Sequence, residues 1–215
     1  MAHWFHRFVL TFVAPPVRWA TGVSCEGLEN VPEGGAVLVF NHPTSRDPVD
    51  VQVAYGGVLY FLGKKEAFEW PVLGWLLRTV GHQIPLDRQA GGNTKALEEA
   101  VGHLRKGHKI ALAPEGTRSA RGPLGRGRTG AARLALAAEV PVVPIAVHRG
   151  KRRARIVFGA PVDLSPWYAR RDDPKAVRAA MDHVMSELAR LLGEAGYDPA
   201  TAPDYALQRG LRKTP

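Results

Sequence analysis

The sequence lacks several features that would place it in a common functional class. Cys25 is the only cysteine among 215 residues, so an internal disulfide and a cysteine-rich zinc site are both excluded. Two uncharged, mostly apolar runs cover residues 8–17 and 51–63, and both are shorter than the ~20 residues that a membrane-spanning helix needs. No clear secretory cleavage site follows the N-terminal apolar stretch. The sequence therefore predicts no transmembrane helix and favours a reducing compartment.

Signatures of covalent and nucleotide chemistry are also missing. Residues 22–26 approach the G-x-S-x-G pattern of a serine nucleophile but lack its closing glycine. Neither the phosphate-binding pattern G-x-x-x-x-G-K-[ST] nor the zinc pattern H-E-x-x-H occurs. Nucleotide hydrolysis, a zinc-protease site and an acyl-enzyme on serine are therefore disfavoured, and we expect no metal and no bound cofactor.

Negative charge falls well short of positive charge after residue 60. The chain has 29 Lys and Arg against 20 Asp and Glu, a net charge of +9, and residues 1–60 alone carry −2. Two basic clusters hold much of the excess: Arg118, Arg121, Arg126 and Arg128 in a glycine-rich stretch, then Arg149, Lys151, Arg152, Arg153 and Arg155. Such clusters suit phosphates or an anionic lipid surface, or they are simply solvated loops. Base-stacking aromatics are absent from both, which argues against nucleic acid.

Apolar side chains at the N-terminus follow a helical spacing. Trp4, Phe8 and Phe12 recur every four residues with Phe5 beside them, and the proline pair at residues 15–16 ends the pattern. This stripe either lies in a membrane interface or packs onto the domain as core.

From about residue 23 onward, short apolar runs alternate with helical patterns. We predict strands at residues 36–40, 58–62, 109–113, 140–147 and 154–158. Helices are predicted at residues 71–79, 94–106, 129–139 and 174–192, and another begins at Asp47 as N-cap with Pro48 behind it. Such alternation is typical of an α/β fold with a mixed, largely parallel sheet flanked by helices.

The first candidate site is residues 41–47, between a predicted strand and a predicted helix. His42 is the side chain best suited to abstract a proton near neutral pH, and a carboxylate on its other ring nitrogen would fix its tautomer. A turn could bring Asp47 to it. The alternative is that Asp47 only caps its helix and that His42 is an ordinary loop histidine.

Two further segments carry charged residues just after a predicted strand or extended run. Arg88 follows an extended run and could hold a phosphate, or it could be a surface charge beside Asp87. His82 and Asp87 also stand five apart, but the extended run between them predicts that they are separated. In residues 113–119, Gly116 permits close backbone approach to a ligand, and the segment is either an anion-binding loop or a plain turn. Residues 140–147 are predicted as a buried strand.

Taken in order, these four segments resemble the four conserved blocks of the lysophospholipid acyltransferase family, whose best-known members are 1-acylglycerol-3-phosphate acyltransferases. The resemblance covers residues 41–147, about half of the chain. His42 and Asp47 fit the family's H-x-x-x-x-D, and residues 114–119 fit its third block nearly letter for letter. Thr44, Pro85 and Ala113 depart from the usual residues, but none removes a charged group to which the family assigns a role.

The resemblance implies the fold, the chemistry and a set of site residues. It implies a glycerolphosphate acyltransferase-like domain at residues 23–195, an N-terminal membrane-contact segment at 1–22 and a tail of no assigned role at 196–215. His42 would be the general base and Asp47 its support. The acceptor phosphate and glycerol would contact Arg88, Glu115, Gly116, Thr117 and Arg118, with Lys64 as a further substrate or phosphate contact.

The same resemblance implies the partners. A fatty acyl group would pass from acyl-coenzyme A or acyl carrier protein to 1-acyl-sn-glycerol-3-phosphate, at the cytoplasmic face of the cell membrane. The N-terminal stripe of Trp4, Phe5, Phe8 and Phe12 would lie in the interface. The alternatives are another lysophospholipid, a glycolipid or an amine as acceptor, or a phospholipid-binding protein without catalysis.

Overall fold

The computed structural model describes residues 16, 19, 22–64, 82–86, 94–116, 124–150 and 153–196. Within the third and fourth strands, side chains are described only at residues 59–62 and 84. The N-terminal stripe, the helix predicted at 71–79 and the tail after residue 196 lie outside the described residues.

The described chain alternates strands and helices, as the sequence predicts. The strands are β1 (Val23–Glu26), β2 (Ala36–Phe40), β3 (Leu59–Lys64), β4 (His82–Leu86), β5 (Lys109–Leu112), β6 (Val142–Arg149) and β7 (Ala154–Phe158). The α-helices are α1 (Asp47–Tyr55), α2 (Thr94–Arg105), α3 (Gly130–Ala138) and α4 (Pro174–Glu194), and 3-10 turns lie at Leu28–Asn30 and Ser165–Arg170.

The seven described strands form one sheet in the order β1-β7-β6-β2-β5-β3-β4. Every pairing is parallel except that of β6 with β7. The prediction of a mixed, largely parallel sheet is therefore confirmed. Because four parallel pairings join β6, β2, β5, β3 and β4, the carboxyl ends of these five strands share one edge of the sheet.

Both faces of the sheet are covered, which explains why its central strands are apolar throughout. All five residues of β2 are buried. Val37 and Val39 belong to a core that includes Leu104 of α2 and Met181 of α4. Leu38 and Phe40 belong to the opposite core, which holds Val51 and Ala54 of α1. Successive side chains of one strand thus serve two cores, because strand side chains alternate between faces.

Predicted and observed elements differ most at the edges of the sheet. The edge strand β1 alternates buried and exposed positions over only four residues, a pattern too short to predict it. Pro85 lies in β4 at the other edge, where a missing N–H is tolerated. In the parts of the chain that the structure describes, no helix is both long and apolar enough to cross a membrane.

Candidate functional site

The shared edge of the sheet brings the first and third motif segments together. Phe40 ends β2, and β2 lies beside β5 with Val39 opposite Leu112. His42 and Glu115 follow these two strand ends by two and three residues. The carboxyl edge of a parallel sheet is where ligand sites of open α/β folds commonly lie, so the fold places both segments where a site is expected.

A tight turn joins β2 to α1 and brings the predicted pair into contact. His42 Nδ1 lies 3.0 Å from Asp47 Oδ2. The His42 side chain is 19% exposed, whereas the Asp47 side chain is fully buried. Asp47 is the first residue of α1, and the N-cap position is occupied by Arg46 without a side-chain cap. The prediction that Asp47 is the N-cap is therefore wrong, because its carboxylate turns back into the loop instead of onto the helix backbone.

Thr44 fixes the Asp47 carboxylate from the same turn. Its backbone N–H donates to Oδ2 at 2.5 Å and its hydroxyl donates to Oδ1 at 2.6 Å. The hydroxyl also accepts from the Arg46 N–H at 3.1 Å. Two donors in addition to the imidazole therefore hold a carboxylate that has no contact with solvent. Such a carboxylate favours the His42 tautomer with its proton on Nδ1, which leaves Nε2 as the nitrogen that can accept one.

Arg149 approaches the same carboxylate from the end of β6. Its Nε lies 3.6 Å from Asp47 Oδ1, an ion pair beyond hydrogen-bonding distance, and its Nη2 forms an ion pair with Asp50 Oδ2. The side chains of Arg149, Asp47 and Asp50 are 7%, 0% and 1% exposed. Buried charges need partners because desolvation is costly, and here the partners are one another.

Two members of the second basic cluster therefore have partners within the domain, Arg149 in its interior and Arg155 at its surface. Arg149 is buried, contrary to the sequence interpretation of a lipid-facing or solvated group. Arg155 donates through Nε and Nη2 to the Glu26 carboxylate at 2.8 and 2.7 Å, and this hydrogen bonding lowers the pKa of Glu26. Lys151 and Arg152 lie outside the described residues.

Asn41 ties the turn to β6. Its Nδ2 donates to the Val147 carbonyl at 2.9 Å, and its Oδ1 accepts from the Val147 N–H at 2.7 Å. Asn41 is 2% exposed. These two hydrogen bonds fix the residue before His42 to the strand that carries Arg149. His42 and Arg149, which lie against the two oxygens of the Asp47 carboxylate, are therefore held in place relative to each other. Sequence analysis missed this role, although Asn at the end of a buried strand is a signal for such a contact.

The third motif segment forms a turn after β5. Gly116 N–H donates to the Ala113 carbonyl at 3.0 Å, and Gly116 has φ of 68°, a left-handed conformation that favours glycine. A Cβ at Gly116 would lie 2.7 Å from Arg128 Nε, so the guanidinium lies against the bare backbone. Glu115 Oε2 accepts from the Gly125 N–H at 2.8 Å. Glu115 thus anchors the loop that carries Arg126 and Arg128.

Several predicted site residues lie outside the described residues. They are Arg88, Thr117 and Arg118, the side chain of Lys64, and the aromatic stripe of Trp4, Phe5, Phe8 and Phe12. The backbone of β3 pairs with β4 at Lys64 opposite Leu86, so Arg88 follows a strand that ends at the same edge as β2 and β5. The described residues therefore bring together His42, Asp47, Glu115 and Gly116 at this edge.

The geometry is that of a histidine held by a buried carboxylate. The His42 ring contacts Phe40 edge-on, with ring centroids 6.0 Å apart, and keeps partial access to solvent. Within the described residues, no three His, Cys, Asp or Glu side chains lie close enough to hold a metal ion. What the described site can do is take a proton from a hydroxyl at Nε2.

Comparison with known proteins gives a family. The family described as Acyltransferase matches residues 22–148. The chain is 34% identical over 151 residues to the chloroplastic 1-acyl-sn-glycerol-3-phosphate acyltransferase LPAT1 of Arabidopsis thaliana, which covers 66% of this chain and 40% of that protein. It is 31% identical over 154 residues to a 1-acyl-sn-glycerol-3-phosphate acyltransferase of Pseudomonas aeruginosa, covering 68% of this chain and 59% of that one.

A solved structure shows the same fold. The 1-acyl-sn-glycerophosphate acyltransferase PlsC of Thermotoga maritima superposes with a TM-score of 0.62 at 22% identity, over 90% of this chain and 80% of that one. Matches to the two curated relatives span about 40 to 60% of those proteins' length. The family match covers more than half of this chain and contains all of residues 41–147, where the four motif segments lie. The chain therefore belongs to the acyltransferase family.

Proposed function

We propose that this protein transfers a fatty acyl group from an acyl thioester to the free hydroxyl of 1-acyl-sn-glycerol-3-phosphate, giving phosphatidic acid. The observation that carries the proposal is the 3.0 Å contact between His42 and the buried Asp47 at the carboxyl edge of the sheet. Membership of the acyltransferase family and the names of the matched relatives support the choice of reaction and acceptor.

His42 acts as the general base in this mechanism. Its Nε2 takes the proton of the acceptor hydroxyl as that oxygen attacks the thioester carbonyl. The new ester C–O bond forms, the C–S bond breaks, and the departing thiolate receives a proton from the imidazolium. No acyl-enzyme forms, which agrees with the absence of a serine-nucleophile motif from the sequence. Base catalysis of this kind is typically worth about 10²–10⁴ in rate.

The charges around His42 suit this proton transfer. When His42 gains a proton, the positive charge forms 3.0 Å from a carboxylate already fixed by Thr44. A preorganised opposite charge stabilises the transition state without reorganisation at the moment of reaction. Asp47 therefore positions the ring and stabilises the imidazolium, while the proton stays on the histidine.

The acceptor phosphate and glycerol bind beside this base in our proposal. Gly116 and Glu115 lie at the same sheet edge as His42, and Glu115 anchors the loop of Arg126 and Arg128. Arg88, Thr117 and Arg118 supply further phosphate contacts, since guanidinium groups and backbone amides suit phosphate oxygens. Lys64 adds a positive charge at the end of β3.

The protein acts at the cytoplasmic face of the cell membrane, as a peripheral or monotopic enzyme, in this proposal. The N-terminal aromatic stripe lies in the lipid interface. Acyl-coenzyme A or acyl carrier protein is the co-substrate, no cofactor or metal takes part, and no nucleic acid binds. Trp19 is the one aromatic side chain of residues 1–22 that the structure describes. It is 88% exposed, which supports a lipid contact of this segment.

Product analysis tests the proposal. Purified protein is incubated with liposomes containing 1-acyl-sn-glycerol-3-phosphate and either acyl-coenzyme A or acyl carrier protein, and both free thiol and phosphatidic acid are measured. Equal amounts of thiol and phosphatidic acid are expected. Thiol release without phosphatidic acid would contradict the proposed acceptor and point to another lysophospholipid, a glycolipid or an amine. No turnover with either donor, together with liposome binding, would favour a phospholipid-binding protein.

A further inference from the structure

Two buried charges beside the His42–Asp47 pair have no part in the mechanism above. Asp50 lies one turn after Asp47 in α1, and Arg149 reaches both carboxylates from β6. Asp50 and Arg149 are 1% and 7% exposed. Burying an ion pair seldom stabilises a fold by more than its desolvation costs, so we expect these charges to have a second effect at this place.

The three groups form a buried charge cluster with an uneven balance. Two carboxylates, Asp47 and Asp50, face one guanidinium, Arg149, so the cluster carries a net charge of −1. His42 contacts Oδ2 of Asp47, and Arg149 lies against Oδ1 of the same carboxylate. A proton on His42 brings the total to zero. The imidazolium and the guanidinium therefore compete for one carboxylate, and Asp50 offsets part of that competition by binding Arg149.

We propose that Asp50 and Arg149 are positioning residues that set the pH at which His42 is free to accept a proton. Asp50 strengthens the field that favours the imidazolium, and Arg149 weakens it. The effect of Asp50 and Arg149 on catalysis rests on the proposed function. Their effect on the protonation of His42 does not depend on it.

Other charged groups on the packed elements are few among the described residues. They are Arg46 in the turn before α1, His148 on β6, Glu115 after β5, and Glu26 and Arg155 on β1 and β7. Arg46 is exposed, and Glu26 and Arg155 are paired with each other on the surface. Water screens exposed charges strongly, so Arg46, Glu26 and Arg155 contribute less to the field at His42 than the buried cluster does. His148 and Glu115 are partly buried and are the same in every variant that is compared.

Charge substitutions in the cluster are expected to move the titration of His42 in opposite directions. Asp50→Asn keeps an oxygen that can accept from Arg149 but makes the cluster neutral, which disfavours the imidazolium and lowers the pH midpoint. Arg149→Gln makes the cluster −2 and raises the midpoint. At an effective dielectric constant of about 20, each shift is expected to amount to about one to two pH units. The double variant restores −1 and is expected near the wild-type midpoint.

The midpoint is measured without catalysis, by following the imidazole C–H resonances of His42 by NMR as pH is varied, with His42→Gln identifying the signal. The acid limb of kcat/KM for thiol release is recorded on the same proteins. Arg171→Gln is the matched control, since Arg171 pairs with Glu139 on the surface, with 48% and 57% of the two side chains exposed. It removes the same charge and is expected to leave both readouts unchanged.

The Asp50→Asn titration decides the proposal even where Arg149→Gln fails to fold. A downward shift of the His42 midpoint supports it, and an unchanged midpoint overturns it. A purely structural role would lower activity equally at all pH values without moving the midpoint. If the wild type shows no acyl transfer while the NMR midpoint still shifts, the proposed function fails and the electrostatic role stands.

Discussion

Thr44 offers a sharp test of how the Asp47 carboxylate is held. Thr44 is 3% exposed. Its hydroxyl donates a hydrogen bond to Asp47 and accepts one from the Arg46 N–H. Thr44→Val keeps the shape but removes both hydrogen bonds, whereas Thr44→Ser keeps both and removes one methyl group. A hydrogen bond to a charged group contributes about 1.5–3 kcal/mol and a neutral one about 0.5–1.5 kcal/mol. A buried methyl contributes about 1 kcal/mol.

The two variants should therefore separate in stability and in rate. Thr44→Val is expected to lose about 2–4 kcal/mol of the free energy of unfolding, which lowers Tm by roughly 4–16 °C in a domain of this size. Thr44→Ser is expected to lose only about 1 kcal/mol. Because the carboxylate loses an anchor, kcat/KM should fall about tenfold to a hundredfold in the valine variant alone. Thermal unfolding and initial rates check both, and a valine variant at least as stable as the serine variant would refute the reasoning.

Three further predictions concern the framework of the domain. Asn41→Ala leaves two buried backbone groups of β6 without partners, so urea unfolding should show a loss of about 2–4 kcal/mol, and an unchanged midpoint would contradict the bridging role. Gly102→Ala places a Cβ in open space within α2 and should stabilise the protein by about 0.5–1 kcal/mol without changing activity, which thermal unfolding and a rate assay check together. The pKa of Asp173 is lowered by its hydrogen bonds to Arg170 and to the first turn of α4, so its stabilising effect is present above pH 3.8 and is lost as pH falls through the lowered value. Asp173→Ala should therefore lower Tm at neutral pH and match wild type in strong acid, with Asp172→Ala as the control that changes little at either pH.

The sequence predicts the centre of the fold well because its central strands are buried on both faces. Every residue of β2 is apolar, and the predicted strand at 36–40 matches the observed one. The predicted strand at 154–158 also matches β7. The edge strand β1 has no such run, since its exposed positions carry Ser24 and Glu26. Hydrophobic patterning is strongest where both faces are covered, so edges are the part it misses.

The candidate site is predictable as far as it is local in sequence. His42 and Asp47 stand five residues apart across one turn, so a motif can reveal them. Arg149 lies over a hundred residues away, and its local neighbours are other basic residues, which led to its interpretation as part of a surface cluster. Only the parallel pairing of β2 with β6 brings Arg149 beside α1. Contacts of this kind depend on strand order, which the local sequence does not encode.

The most direct test of the account compares the removal of His42 with the removal of a histidine elsewhere. His42→Ala is expected to lower kcat/KM for phosphatidic acid formation about 10²–10⁴-fold while keeping the thermal unfolding profile of a folded domain. His183→Ala is the matched control, because His183 is exposed on α4 and its ring contacts that of Trp167 at a tilt. This variant should keep full activity. Comparable rates from His42→Ala and wild type would contradict the assignment of His42 as the base.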